Sequence, residues 1–152
     1  MYSFIVNPNS RSGEGRNVWN RLRSIMESQG ISYQYFLTEY VGHATVLARR
    51  ISTAGTPEDP VTLVTVGGDG TIYEVLTGII DLSSVVFGFI PVGSGNDFAR
   101  TLGMHEVSCD ADLVQLLETQ PAHLDIGRVR TSSSPTADAA LDEVTYALET
   151  FS

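Results

Sequence analysis

Cationic side chains are scarce in this chain: 9 Lys and Arg stand against 18 Asp and Glu in 152 residues, a formal net charge of −9. A nucleic-acid binder neutralises phosphates with a basic surface, so this balance argues against that class. It argues equally against simple electrostatic adhesion to anionic membranes, while leaving a neutral lipid open as a substrate. There is one cysteine, Cys109, in a helical pattern. No internal disulfide can form, and a reducing cytoplasm fits. The apolar N-terminal run Met1 to Asn7 reads as a strand; it is too short for a signal peptide or membrane span and lacks the basic start. Heptads and internal repeats are missing. The 3 histidines, His43, His105 and His123, are too scattered for metal ligation and read as surface or capping residues. Neither the GK[ST] of a P-loop nor the G-x-G-x-x-G of a dinucleotide fold occurs.

What is present is the make-up of an ordinary globular domain, 42% hydrophobic and 18% charged, long enough for one sizeable core. Strand and helix patterns alternate. Strand 2–7 leads to a polar loop and a helix over about 15–29, with Val18, Leu22, Ile25 and Met26 on one face and Gly30 at its end. Strand 32–38 precedes a helix over 42–53 carrying Ala44, Leu47, Ala48 and Ile51. Residues 54–60 form a Gly/Pro/acid turn before strand 61–66. Strand 85–90 follows, and a last helix over 109–119 presents Leu113, Leu116 and Leu117. This order predicts a three-layer α/β sandwich with a mostly parallel sheet. Residues 131–140 read as a hairpin loop or disordered tip, and Val144 to Leu148 as a further strand.

The most telling stretch is Val64-Thr65-Val66-Gly67-Gly68-Asp69-Gly70-Thr71-Ile72. A β-branched run breaks into glycines around one aspartate, and a helical stripe follows at Ile72, Val75, Leu76, Ile79 and Ile80. A strand–glycine–helix junction aims backbone N–H groups and the positive helix end at one point, where an anion can sit. A bare carboxylate there would repel phosphate unless a cation such as Mg²⁺ lies between them, or unless it accepts hydrogen bonds from a sugar or from loop amides. A second glycine corner follows strand 85–90, at Pro91-Val92-Gly93-Ser94-Gly95-Asn96-Asp97-Phe98-Ala99-Arg100. Asn96 or Asp97 caps a short helix there, closed by Gly103. In an open α/β sheet, loops at the carboxyl ends of strands converge on one crevice.

GGDGT-x-x-EV followed by PVGSGNDFAR resembles the diacylglycerol kinase catalytic domain family, which includes bacterial lipid kinases and sphingosine kinases. Two further segments agree. Asn7-Pro8-Asn9-Ser10-Arg11-Ser12-Gly13-Glu14-Gly15 resembles the family's first loop, NPxSGxG, with two extra residues, and Thr38 to Ala44 resembles its T-x-x-x-GHA segment. Asp125-Ile126-Gly127 resembles the point where the family's chain leaves its first domain. Two positions depart from the family pattern. Tyr73 stands where the family usually has Asn, and Ser94 replaces the commoner Thr but keeps a hydroxyl.

The resemblance implies an ATP-dependent lipid kinase that passes the γ-phosphoryl group to a lipid hydroxyl such as that of diacylglycerol, with Mg²⁺. It implies that Gly67, Gly68, Asp69, Gly70, Thr71, Ile72 and Tyr73 cradle the ATP phosphates. Asn7, Ser10, Ser12, Thr38 and Ser94 would approach the nucleotide, and Asn96 and Asp97 would order the crevice. Asp69 and Asp97 are the candidate Mg²⁺ ligands. Thr71 reads either as a phosphate-bonding hydroxyl or as a helix N-cap. Glu74 is an active-site acid or an acid favoured by the helix dipole. Arg11 and Arg16 are available to neutralise phosphate, and Phe98 falls on the apolar side of its helix. No nucleophile stands out: Gly93-Ser94-Gly95 lacks the G-x-S-x-G elbow spacing, and Cys109 has no motif around it.

The expected organisation is a nucleotide-binding domain over 1–127 and, over 128–152, the stub of a second, β-rich lipid-binding domain that holds the general base. Peripheral membrane contact would run through that second domain. The strand in the stub would be an unpaired edge, flanked by solvent-facing Glu143 and Glu149 and open to self-association. The alternatives are a nucleotide-binding module without catalysis and an NAD kinase, which shares GGDGT but not GNDFAR.

Overall fold

The apolar runs and helical patterns fold in the order in which they alternate along the chain. The computed structural model describes residues 1–104, 106–128 and 142–148. It contains β1 (Tyr2–Val6), α1 (Ser10–Ser28), β2 (Tyr33–Leu37), α2 (His43–Ser52), β3 (Val61–Gly67) and α3 (Asp69–Gly78). A 3₁₀ turn at Leu82–Ser84 then leads into β4 (Val85–Pro91), α4 (Asp97–Thr101), α5 (Asp110–Glu118), β5 (Ala122–Arg128) and β6 (Asp142–Leu148). The sheet order is β2-β1-β3-β4-β6-β5. β1 to β4 are parallel, β6 runs parallel to β4, and β5 is antiparallel to β6. This is the expected α/β architecture.

Period-two alternation divides the core between the two faces of the sheet. Phe4, Val6, Val64, Val66 and Ile90 meet Val18, Trp19, Leu22 and Met26 of α1 and Leu113 of α5. Ile5, Leu63, Phe87 and Phe89 meet Ala44, Leu47, Ala48 and Ile51 of α2 and Ile72 and Val75 of α3. Strands covered on both faces read as near-continuous apolar runs, as Val61–Gly67 and Val85–Pro91 do.

The structure corrects several expectations. The stripe ending in Ile79 and Ile80 outruns its helix, because α3 stops at Gly78; Ile79 stays buried while Ile80 is exposed. Cys109 is the N-cap of α5 rather than part of the helix. β5 was not foreseen, since Asp and Gly in Ala122–Arg128 carry little strand propensity. The strand in the stub is not an edge: β6 lies between β4 and β5, and residues 122–128 supply its partner. The expectations for His105, Glu149 and residues 131–140 lie outside the described residues.

Two local features carry tests. Asp112, in the first turn of α5, accepts from the Ser108 amide at 2.7 Å, the Cys109 amide at 2.9 Å and the Ser108 hydroxyl at 3.0 Å. These bonds, the Ser108 amide first, hold its carboxyl down to about 2, against an ordinary 3.8. A depressed carboxyl pKa stabilises the folded chain above the unfolded value, and that stabilisation is lost as pH falls toward 2. An NMR titration should therefore place the Asp112 midpoint near 2, with the Ser108 and Cys109 amides shifting in step; a midpoint near 3.8 would show the cap unformed.

Gly78 packs where α3 meets α2. A Cβ there would lie 2.3 Å from the Thr45 carbonyl oxygen. Alanine is the better helix former by about 1 kcal/mol, but an overlap with backbone cannot be relieved by a rotamer change. Gly78→Ala should lower stability by about 1–3 kcal/mol in urea unfolding. Unchanged or higher stability would mean that the two helices separate at little cost.

Candidate functional site

Parallel strands bring their carboxyl ends to one edge of the sheet, so the segments after β1, β2, β3 and β4 meet there. The junction after β3 is tighter than a loop: Gly67 ends the strand, Gly68 is the N-cap, and Asp69 already lies in the first turn of α3. The Thr71 and Ile72 amides both donate to the Gly68 carbonyl, at 3.0 and 3.1 Å. Across the crevice, Val92 donates to the Gly67 carbonyl at 2.8 Å. A Cβ on Gly93 would come within 2.9 Å of the Gly68 Cα, so the two glycine segments touch backbone to backbone.

The first one and a half turns of α3 hold the other three segments. Asp69 Oδ2 accepts from the Asp97 amide at 2.8 Å, and Oδ1 from the Phe98 amide at 3.2 Å. These are first-turn amides of α4, which need an acceptor from outside the helix. The α4 N-cap residue, Asn96, is left-handed at φ 51 and makes no side-chain cap bond. Asp69 thus caps α4 from a distance, the loop-amide role among those its motif left open. Thr71 Oγ1 accepts from Asn7 Nδ2 at 3.0 Å and so ties down the segment after β1; it is not the N-cap of α3. Glu74 Oε1 accepts from the Gly42 amide at 3.0 Å, and its carbonyl accepts from Thr45 Oγ1 at 3.0 Å, tying down the segment after β2.

Two open cavities border these ties. One, of about 300 Å³, is lined by Asn7, Thr38, Tyr40, Thr71 and Glu74 among others. The other, of about 260 Å³, lies against Ser94, Gly95 and Asn96, with Arg11, Arg100 and Glu106 on its walls. Asp97 pairs with Arg100 at 2.9 Å, and Arg100 also donates to the Gly95 carbonyl. A Cβ on Gly95 would lie 3.7 Å from Asp69 Oδ2 and 3.8 Å from Asp97 Oδ1, so both carboxylates flank that residue. Asn96 Oδ1 is buried without a hydrogen-bond partner. Among the described residues no group of 3 or more His, Cys, Asp or Glu gathers around one point.

The expected site residues divide accordingly. Asn7, Thr38, Thr71 and Glu74 share the first cavity, and Ser94 and Asn96 the second. Gly67, Gly68 and Asp69 lie between these segments, with Gly70 exposed in the first turn of α3. The side chain of Ile72 is buried in the core, and Tyr73 points to solvent at 71% exposure. Ser10 is buried at the start of α1, and Ser12 is exposed in a left-handed conformation. Phe98 packs on Phe89, with ring centroids 5.0 Å apart, as its apolar position indicated. Sequence reasoning missed Tyr40, which stacks on His43 at 4.5 Å, and it missed Glu106. Tyr40 falls at an unspecified position of the T-x-x-x-GHA segment and Glu106 in no motif, so no local signal marks them.

Residues 1–129 match the family model described as the diacylglycerol kinase catalytic domain. This chain belongs to that family. It is 37% identical over 112 residues to YtlR of Bacillus subtilis, for which the name proposes lipid kinase activity; the match covers 74% of this chain and 35% of YtlR. It is 30% identical over 146 residues to a diacylglycerol kinase of Staphylococcus carnosus, covering 93% of this chain and 46% of that protein. The chain therefore spans about a third to a half of the curated relatives it matches. A crystal structure described as a diacylglycerol kinase from Bacillus anthracis aligns with a TM-score of 0.69 at 22% identity. That alignment covers 85% of this chain and 43% of that one, and supports the fold.

The remote cap gives a direct test. Asp69→Ala leaves two amides of α4 without their acceptor and should lower stability by about 1–2 kcal/mol. Hydrogen exchange should speed up at Asp97 and Phe98 far more than in β1. Unchanged exchange at these two amides would show that α4 is capped by something else.

Proposed function

We propose that this chain is the nucleotide-binding part of a lipid kinase, holding MgATP for transfer of the γ-phosphoryl group to the hydroxyl of a diacylglycerol-like lipid. The observation that carries this reading is the hub at the start of α3. Asp69, Thr71 and Glu74 each bond to a different segment at the carboxyl edge of the sheet. A crevice held from three sides keeps its shape without a ligand, and phosphoryl transfer depends on positioning above all. The α3 N-terminus favours an anion at Gly68–Gly70. Asn7 and Thr38 line one side of the nucleotide and Ser94 the other, and the unpartnered Asn96 Oδ1 offers an acceptor to a ligand donor.

The residues fit a magnesium ion that arrives with the nucleotide. Mg²⁺ is usually held by one or two carboxylates with substrate phosphates and water, and Asp69 and Asp97 are such a pair beside Gly95. When bound, the ion neutralises charge on the phosphates. In the transfer the bond from the γ-phosphorus to its bridging oxygen breaks, a bond to the lipid oxygen forms, and the hydroxyl proton passes to a base. We assign that base, and the lipid-facing and membrane-contacting surface, to a second domain beginning near residue 128. In this reading β6 contributes a strand to the first sheet. This reading makes the protein a cytoplasmic enzyme that meets its lipid at the membrane surface.

Calorimetric titration of the chain with MgATP, MgADP and NAD should show weak binding of the first two and little of NAD. Tight NAD binding with none of MgATP would overturn the assignment. With radiolabelled ATP and diacylglycerol in mixed micelles the 152-residue chain should not turn over; turnover would put the base within these residues.

A further inference from the structure

The crevice is poor in positive charge for a site that must take a triphosphate. Asp69, Glu74 and Asp97 already stand around it, in a chain of net charge −9 without a single lysine. On the walls of the cavity beside Ser94–Asn96 the cations are Arg11 and Arg100. Arg100 is committed within its own loop, to Asp97 and to the Gly95 carbonyl. Arg11 is held differently. It reaches across 95 positions of sequence to pair with Glu106, through side chains that remain 50% and 58% exposed.

The backbone that carries Arg11 is unusual. Arg11 and Ser12 are left-handed at φ 47 and 56, followed by Gly13 at φ 97. They fall between Ser10 and Gly13, where the first loop is two residues longer than the NPxSGxG pattern. Left-handed non-glycine residues cost energy and persist where surrounding contacts hold them. Arg11 and Glu106 also line a second hollow, of about 350 Å³, on the α1 side. The guanidinium therefore stands at the junction of two cavities, beside the Ser94 loop, held by one exposed carboxylate. An ion pair between half-exposed side chains is weak. A terminal phosphate is tetrahedral and carries more charge than a carboxylate, and two of its oxygens can meet the guanidinium fork together.

We propose that Arg11 binds the terminal phosphate groups of the nucleotide and that Glu106 is a built-in stand-in for them, released when the triphosphate enters. This rests on the nucleotide reading above and goes further by naming a residue pair that sets preference for ATP over nucleotides with fewer phosphates. Glu106 then acts as a competitor: it keeps Arg11 folded over the crevice in the free protein and lowers affinity for small anions.

The test is calorimetry of the chain with MgATP, MgADP and AMP, on the unaltered protein and on Arg11→Gln, Glu106→Gln and the double variant. Arg11→Gln should weaken MgATP about ten-fold, and AMP by less than about two-fold, because an exposed cation acts here through the terminal phosphates. Glu106→Gln should tighten MgATP by about three-fold, and this gain should vanish in the double variant. Arg49→Gln, an exposed cation in the last turn of α2, is the control for net charge. A loss in Arg11→Gln no larger than in Arg49→Gln overturns the proposal while leaving the nucleotide reading intact. So does a gain from Glu106→Gln that persists without Arg11. Absence of nucleotide binding by the unaltered chain overturns both readings.

Discussion

The carboxylate of Asp69 sits where two helix N-termini meet. It lies in the first turn of α3 and accepts from the first two amides of α4. A negative charge is favourable at both ends, because each helix presents partial positive charge and unsatisfied donors there. The register of the sheet makes the contact possible. Gly67 pairs with Pro91 across β3 and β4, which sets Gly68 beside Gly93 and brings α4 within reach of Asp69. The second glycine loop therefore has its shape because an acid 28 positions earlier holds its far end.

The same helix turn organises the rest of the crevice. Thr71 faces the segment after β1 and Glu74 the segment after β2, while Ile72 and Val75 between them anchor the helix in the core. Alternating core and tie positions on one short helix explain a spacing that looks arbitrary in one dimension. They also explain why Tyr73, which points away to solvent, takes no part in these ties. The crevice and the core beneath α3 are thus two sides of one element, and a change at Gly78 that tilts α3 against α2 would be felt at Glu74 and Gly42.

Charge sets the other constraint. The proposed function asks the crevice to take a triphosphate in a chain with twice as many acids as cations. Helix N-termini and oriented amides can favour an anion without adding net charge. That leaves single arginines with larger individual weight than they have on an ordinary surface, where most contribute little.

By itself the sequence determined the alternation of strands and helices, the α/β class and the two glycine segments at the carboxyl ends of their strands. Those features are local: apolar periodicity, β-branched runs and glycine placement act over a few residues and leave a one-dimensional trace. It also limited Asp69 to a short set of roles, because a carboxylate among glycines at a helix start needs a cation or donors. Only the tertiary structure decided which role its bonds show, since the donors lie across the crevice. The same holds for Asn7 with Thr71, for Gly42 with Glu74 and for Arg11 with Glu106, separated by 64, 32 and 95 positions. The place of β6 in the sheet was likewise decided by pairing, because its neighbours come from β4 and from a weakly patterned β5. Hydrogen bonds between distant residues depend on register and direction, and neither leaves a periodic signal in the chain.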